Sequence, residues 1–521
     1  MKSTTFILVL VLSFCLFHTY DSLPKRCQED EECYKTHLHP DLPSSPDDDK
    51  PRSLDGEDKI EFWIESGKNF VIEQQAKRIN TNVAKNVILF LGDGMGLTTI
   101  AAARLYAGGE EKKLSFEKFP YTGLSKTYSV DRMVPDSANT ATAYLCGIKA
   151  NYGTIGVNAN VDVGNCEAGK NTTNFVYSAA KWALDAGKAA GLVTTTRVTH
   201  ASPSGVYAHI ADRDWENDSE VKKSCGQQSG VQDIAHQLIH GEVGSKLKVM
   251  LGGGRMHFTD ASMGKGGKRS DGRNLTEEYI SQSNRNVYVE TREQLLKVST
   301  RTTERLLGMF QDSHLKYNLE VTPETHQPSL EEMTRKAIEL LKKEKKGYFL
   351  FVEGGKIDLA HHENQAQLAL DEALQFSNTI EMARNMTSEE DTLIVVTADH
   401  SHAFSFSGYP TRGDSIFGTT KAKAEDGLPL LTLSYANGPG FKTYYDTENH
   451  VRFDPASVDK TDPHVAFPAT AELELETHGG DDVAVFASGP WSHLFTGVYE
   501  QNTIPHLYAY AACIGNGLKA C

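Results

Sequence analysis

The sequence predicts an α/β fold: a large, mostly parallel central sheet flanked by helices on both faces, with a small inserted crown-like subdomain. Three observations carry that expectation. Short apolar runs (VILFL, GLVTTT, KVML, YFLFV and LIVV) each end in a Gly-rich or polar turn, the pattern of strands buried on both faces. Stretches with helical spacing, such as SLEEMTRKAIELLKK, lie between them, as alternating strands and helices require. The residues best able to do chemistry stand just after the apolar runs, where open α/β sheets bind ligands.

Taken in order, the chain opens with Lys2 and an apolar run from Phe6 to Phe17. The run is too short to span a bilayer and fits a signal peptide over 1–20. Residues 21–56 read as a leader or linker, with a dibasic pair at Lys25-Arg26 and the stretch HPDLPSSPDDDKPRS. One large domain is expected over 57–515. It begins with the helix-like EDKIEFWIESGKNFVIEQQA and the strand-turn-helix KNVILFLGDGMG. The Gly-, Pro- and Tyr-rich segment 407–475 breaks the rhythm and is expected to be the insertion. Residues 516–521 form a short C-terminal end without the hydrophobic tail of a lipid-anchor signal. No later window offers a membrane span, so a secreted, extracellular protein is expected.

Composition agrees. Among 521 residues, 53 Lys and Arg face 69 Asp and Glu, a formal net charge of −16. Such a chain is a poor general binder of nucleic acid, and an anionic substrate would need a local cluster of cations. Of eight Cys, Cys15 lies in the signal segment. The pairs Cys27/Cys33 and Cys513/Cys521 could staple short loops and Cys166/Cys225 a longer one, while Cys146 in TATAYLCG reads as a buried free thiol. Sequons begin at Asn171, Asn217, Asn274 and Asn385.

The chemistry clusters at strand ends. Asp93 follows VILFL; Glu353, Asp358, His361 and His362 follow YFLFV; Asp399 and His400 follow LIVV. His200 and Ser202 form another pair, and His478 follows ELELET. Taken singly, Asp93 reads as a helix cap and His361-His362 as a solvated helix face. Taken together, oxygen and imidazole donors without thiolate suit Zn²⁺ plus a harder ion such as Mg²⁺. Asp358 and His362 are spaced i, i+4, on one face of a helix. In VPDSANTATAYLCG, Asp136 or Ser137 could cap the following helix, whose free N–H groups would also favour an alkoxide on Ser137. Arg213 could pair with Asp212 or Asp214, and its planar fork also fits two phosphate oxygens.

The chain resembles animal alkaline phosphatases from about residue 57 onward. The blocks that carry this are NVILFLGDGMG, VPDSANTATAYLCGIKANYGTIGVN, VTTTRVTHASPSGVYAHIADRDW, FLFVEGGKIDLAHHEN, TLIVVTADHSHAFSFSGYP and ETHGGDDVAVFASGP. The resemblance implies a broad-specificity, metal-dependent phosphomonoester hydrolase with an alkaline pH optimum. It would act through a phosphoseryl intermediate on Ser137, with Arg213 gripping the phosphoryl oxygens and inorganic phosphate as a product. It implies two Zn²⁺ and one Mg²⁺ per subunit. Asp358, His362 and His478 would hold one zinc, and Asp93, Asp399 and His400 the other. Asp93, Ser202 and Glu353 would hold magnesium, with His200 and His361 tuning the site from behind. It also implies a homodimer with Tyr409 near the interface, the crown identity of 407–475, and the disulfides Cys166–Cys225 and Cys513–Cys521. The chain departs from the vertebrate pattern at Phe310-Gln311 and Gln327-Pro328, where amides replace the carboxylates of a calcium site, so no calcium site of that form is expected. Ser137-Ala-Asn-Thr does not fit the C/S-x-P-x-R pattern of a sulfatase.

Overall fold

The computed structural model describes residues 53–264 and 266–521. The signal segment, most of the 21–56 leader and the Cys27/Cys33 pair lie outside the described residues.

Ten strands form the central sheet. The chain first lays down helix α1 (Ile60–Ala76), β1 (Asn86–Gly92), α2 (Leu97–Tyr106), β2 (Tyr121–Lys126) and α3 (Ser137–Cys146). It continues through β3 (Ala189–Arg197), β4 (Val249–Gly253), β5 (Asn286–Val289) and β6 (Arg305–Met309). Then come α4 (Leu330–Leu341), β7 (Tyr348–Gly354), α5 (Lys356–His362), α6 (Ala366–Met386) and β8 (Thr392–Ala398). The sheet ends with β9 (Val483–Ser488) and β10 (Gly497–Glu500), and helix α7 (Ile504–Ala512) follows. Across the sheet the order is β10-β2-β9-β8-β1-β7-β3-β4-β6-β5. All neighbours run parallel except β9, which is antiparallel to both β2 and β8. The five runs singled out from sequence are the contiguous centre, β8-β1-β7-β3-β4.

Their composition explains their place. Within β7 and β8 every residue is buried, because helices cover both faces and leave no room for alternation. On one face Leu89, Leu91 and Phe351 pack with Tyr144 of α3 and Tyr508 of α7. On the other, Phe90 and Val352 pack with Ile338 of α4 and Phe376 of α6. Helix α4 begins with a capping box: Ser329 Oγ accepts from the Glu332 amide at 3.2 Å, and Glu332 reaches back to the Ser329 amide.

Between β8 and β9 the chain leaves the main sheet and builds small ones. Phe404–Phe406, Leu433–Gly438 and Ala469–Glu472 form a three-stranded sheet. Two-residue strands Ser401–His402 and His478–Gly479 pair antiparallel, with His478 opposite His402. Helix α1 stands apart from both cores. None of its residues is buried, and Ile60, Trp63, Ile64, Phe70 and Ile72 are all more than half exposed.

Two disulfides close Cys166 to Cys225 and Cys513 to Cys521, and Cys146 is free and buried, as the sequence indicated. Asn217 is only 1% exposed, caps the helix that follows, and its Nδ2 donates to His257 Nδ1 at 2.9 Å. The atom a glycan would need is therefore enclosed and already engaged. Asn171 and Asn385 are exposed.

Candidate active site

Register assembles the site. In the parallel ladder Leu91 pairs with Glu353 of β7 and with Thr397 of β8, and Gly92 pairs with Gly354 and Ala398. Asp93 and Asp399, each one residue past its strand, therefore emerge side by side, with Glu353 beside them. The turn after β1 needs glycine at Gly94, where φ is +67° and a Cβ would meet His402 Nε2 at 2.3 Å. The Gly94 amide donates to Asp399 Oδ1 at 2.9 Å.

Ser137 is the first residue of α3. Asp136 is the cap, accepting at Oδ1 from the Asn139 amide at 3.2 Å. The helix start therefore presents the Ser137 hydroxyl, as the sequence suggested, to the strand ends. Ser137 Oγ lies 3.3 Å from His400 Nε2. His400 Nε2 is in turn 3.2 Å from Asp399 Oδ2 and 3.6 Å from Asp93 Oδ1. Asp93, Asp399 and His400 thus converge on one point.

A second convergence lies beside it. His362 Nε2 is 3.3 Å from Asp358 Oδ1, one turn apart on α5, and His478 Nε2 is 3.4 Å from the same oxygen. The two imidazole nitrogens are 3.1 Å apart. In each ring the far nitrogen is spoken for. His362 Nδ1 donates to the Glu476 carbonyl at 2.6 Å and His478 Nδ1 to the Pro135 carbonyl at 2.8 Å. His400 Nδ1 donates to the Ser401 carbonyl at 3.2 Å. With the proton on Nδ1, all three present an Nε2 lone pair to the cluster, the tautomer a metal needs.

The remaining residues fall around these groups. Ser202 Oγ donates to Asp93 Oδ2 at 3.2 Å. Glu353 Oε2 accepts from Thr194 and Thr196, while Glu353 Oε1 and Asp93 Oδ1 are buried without a hydrogen-bond partner. Arg213, whose side chain is 23% exposed, donates from Nη1 to Asp136 Oδ2 at 3.0 Å and places Nη2 3.3 Å from His200 Nε2. Its partner is thus Asp136 rather than the adjacent Asp212 or Asp214. His361 faces away from the cluster, with Nε2 3.0 Å from Thr99 Oγ1 and Nδ1 2.9 Å from Tyr435 Oη. Gln311 and Gln327 form a neutral pair 3.2 Å apart, and Gln327 spends both ends of its amide on the backbone of Lys316. Tyr409 is 59% exposed.

The electrostatics state what the cluster lacks. Burial first, then its neighbours Asp399, Asp358 and Glu353, push the Asp93 carboxyl well above the usual range. Burial raises Glu353 to about 7 and Asp399 to about 6. These carboxylates crowd one another, and two buried oxygens receive no donor, so the pocket is built for cations. The hard-oxygen set Asp93, Glu353 and Ser202 fits Mg²⁺, and the carboxylate-imidazole sets fit Zn²⁺. Burial opposes the charge on Arg213, yet Asp136 outweighs it and holds the guanidinium firmly protonated. A permanent two-pronged cation beside Ser137 is suited to the oxygens of a phosphoryl group.

Two residues that sequence reasoning passed over belong here, His402 and Glu476, together with one, Asp136, that it read only as a cap. Asp136 both caps α3 and anchors Arg213. His402 and Glu476 lie beside Asp358 and His362, with His402 Nδ1 2.6 Å from Glu476 Oε2 and Nε2 2.8 Å from Asp358 Oδ1. Burial works against a charge on His402, but Glu476 and Asp358 push its pKa up to about 10. The available signal was position: His402 stands two residues past His400, and Glu476 two before His478.

Comparison with known proteins covers most of the chain. The family model described as alkaline phosphatase matches residues 84–514. The membrane-bound alkaline phosphatase of Bombyx mori is 44% identical over 485 residues, covering 89% of this chain and 87% of that protein. The tissue-nonspecific isozyme of Homo sapiens is 46% identical over 484 residues, covering 88% and 90%. Among solved structures, the Thermus thermophilus alkaline phosphatase aligns over 86% of this chain and 96% of its own, at 23% identity and a TM-score of 0.60. The last likeness speaks to the fold alone. With the family model spanning most of the chain and relatives this similar, the chain belongs to the alkaline phosphatase family, metal-dependent hydrolases of phosphate monoesters.

Proposed function

We propose that this chain hydrolyses phosphate monoesters of broad structure through a phosphoseryl intermediate on Ser137, using two Zn²⁺ and one Mg²⁺ per subunit. Asp358, His362 and His478 would hold one zinc, and Asp93, Asp399 and His400 the other. Asp93, Ser202 and Glu353 would hold magnesium, with His200 and His361 as supports. Bound there, the ions supply positive charge that lowers the pKa of oxygen nucleophiles and steadies a departing oxygen.

The chain's own groups do the rest. Arg213, fixed by Asp136, grips two phosphoryl oxygens and turns the phosphorus toward Ser137. Ser137 Oγ, at the start of α3, gives its proton to solvent water and forms a bond to phosphorus while the bond to the ester oxygen breaks, and that oxygen takes a proton from water and leaves as the alcohol. Water then attacks phosphorus from the vacated side, the Ser137–phosphorus bond breaks, and inorganic phosphate departs. Two in-line displacements retain configuration at phosphorus. The observation that carries this reading is the convergence of Asp93, Asp399 and His400 at the Ser137 hydroxyl, with buried carboxylate oxygens left without donors.

The protein is read as secreted and extracellular, and as a homodimer with Tyr409 near the interface. The exposed apolar residues of α1 and Tyr409 support the dimer. Among the described residues no helix is long and apolar enough to cross a membrane. Hydrolysis of an aryl phosphate at pH about 9, before and after chelation and with zinc and magnesium restored, tests the reaction. Activity lost to the chelator, regained with the ions and absent from Ser137→Ala is the expected result. Activity that persists in Ser137→Ala would remove the serine mechanism.

A further inference from the structure

At the end of the sheet opposite the site, the residues that lead into the strands are mostly basic. Lys85 precedes β1, Lys346-Gly347 precedes β7, Lys188 precedes β3, Lys248 precedes β4 and Arg285 precedes β5, with Glu304 before β6. The order β1-β7-β3-β4-β6-β5 sets these residues in a row. Neighbouring strands lie about 4.8 Å apart, so five steps make the row about 24 Å long. Lys343, in the turn after α4, joins it: its Nζ donates to the Thr303 carbonyl at 2.8 Å, next to Glu304. Asp391, before β8, bounds the row on the far side of Lys85.

Contacts make the row continuous. Lys188 Nζ donates to the Lys85 carbonyl at 2.9 Å and to the Lys346 carbonyl at 3.0 Å. A Cβ on Gly187 would meet Lys346 Nζ at 2.8 Å. Lys248 and Arg285 share one carboxylate, Glu304, at 3.7 and 3.8 Å. Among the described residues, Lys85, Lys188, Lys343 and Lys346 form no ion pair, and Lys188 and Lys343 donate to backbone carbonyls. Burial, then the charge of Lys85, lowers the pKa of Lys188. Burial also lowers that of Lys343, where Lys248 and Arg285 oppose Glu344 and Glu304.

In a chain of formal charge −16, these six cations against Glu304 and Glu344 reverse the sign locally. Cations one strand spacing apart lie within a Debye length of about 8 Å, so their fields add. Such a row draws in anions, above all a polymer whose charges repeat along its length.

We propose that this row binds a linear sulfated polysaccharide and anchors the protein by the face opposite its active site. A line of charge matches a linear polymer rather than the plane of a bilayer. The row holds no aromatic side chain on which the bases of a nucleic acid could stack. A secreted chain, as read above, meets such polysaccharides outside the cell. The seven residues of β1 separate row from site by about 20 Å, so filling one leaves the other open.

Heparin is the probe, titrated into the full-length, metal-loaded protein by calorimetry at salt from about 50 to about 200 mM. The row variant combines Lys85→Glu, Lys343→Glu and Lys346→Glu. A control combines Lys68→Glu, Lys112→Glu and Lys113→Glu, exposed lysines elsewhere that change the net charge equally. Wild-type affinity should fall steeply as salt rises. The row variant should bind about 10- to 100-fold more weakly, while the control binds as the wild type does. Aryl phosphate turnover should be unchanged in both variants and in wild type saturated with heparin.

No heparin binding by the wild type at about 150 mM salt would overturn the proposal. Equal weakening in the row and control variants would overturn it too, by reducing the effect to overall charge. Competition by inorganic phosphate would place heparin in the active site instead. Tighter binding to phosphatidylserine vesicles or to duplex DNA would replace the polysaccharide as partner, and either result overturns the proposal.

Discussion

Replacing Asp136 by Asn asks whether Arg213 works as a placed clamp or merely as a nearby charge. Asp136 serves three partners with two oxygens. Oδ1 accepts from the amides of Asn139 at 3.2 Å and Gly153 at 3.0 Å, and Oδ2 accepts from Arg213 Nη1 at 3.0 Å. Asn keeps one carbonyl oxygen for the two amides and turns an NH₂ group toward the guanidinium, so a donor faces a donor. The lost contact is a charge-assisted hydrogen bond, worth about 1.5–3 kcal/mol. Asp136 is 1% exposed but Arg213 is 23% exposed, so solvent screening places the loss near the lower end. Freed of that anchor, the guanidinium should hold phosphate about tenfold less well, equivalent to about 1.4 kcal/mol. Asp136→Ala also removes the cap of α3, a further cost of about 1 kcal/mol. The inhibition constant of inorganic phosphate, measured with an aryl phosphate substrate, reads the clamp, and denaturant unfolding reads the cap. Weaker phosphate binding in both variants, with stability falling in the order wild type, Asn, Ala, is expected. If Asp136→Asn leaves the phosphate constant unchanged while Arg213→Ala raises it, Asp136 does not position the arginine.

Two further predictions concern stability. Burial, then Arg197 and Lys356, lower the pKa of His314 to about 2, whereas the unfolded chain's histidine titrates near about 6.5. The unfolded state thus binds the extra proton, and this contribution is intact above about pH 6.5 and falls by about 1.4 kcal/mol per pH unit below it. Denaturant unfolding from pH 6.5 to 5 should therefore show a shallower loss in His314→Gln than in the wild type, and parallel curves would refute the argument. The Cys166–Cys225 bond spans 59 residues, a loop whose closure is worth about 2–4 kcal/mol. The double Cys→Ser variant should lose that much by the same measurement, and a loss under about 0.5 kcal/mol would mean the loop is ordered without the bond.

The centre of the sheet was legible because strands covered on both faces must be apolar throughout, and β8, β1, β7, β3 and β4 are. Of the strands not singled out, β2, β5 and β10 are short or broken by glycine and polar residues, as in YTGLSK and NVYV, whereas β6 and β9 are as buried as the centre. β10 and β5 are the two edges of the sheet, where one neighbour suffices and the apolar signal thins. The ligands were legible for a related reason: a charged residue directly after a buried strand is conspicuous. The pairing of Asp136 with Arg213 was not, nor were His402 and Glu476, because each acts on residues brought near by folding. Glu476 is 114 residues from His362, and nothing local in ELELETHGG distinguishes it from its acidic neighbours. Asn217 shows the reverse situation. Its tripeptide satisfies the sequon rule, but helix capping and a bond to His257 had already claimed the side chain.

The acidity of the whole chain and the acidity of its site have different origins. A formal charge of −16 is spread over a surface where water and salt screen it. Asp93, Asp399 and Glu353 are wholly buried and brought together by strand register, so no such screening reaches them. Sliding any one of these strands by a residue would relieve the repulsion but would also break the parallel ladder that buries the core. The repulsion is therefore fixed by the same pairing that stabilises the sheet, and only protons or cations can relieve it. Protons would leave Asp93 and Glu353 neutral and the pocket unable to attract an anion. Divalent ions relieve the same repulsion and reverse the field, turning a buried acidic cluster into a phosphate-binding site. Metal dependence in this chain thus follows from where its strands end.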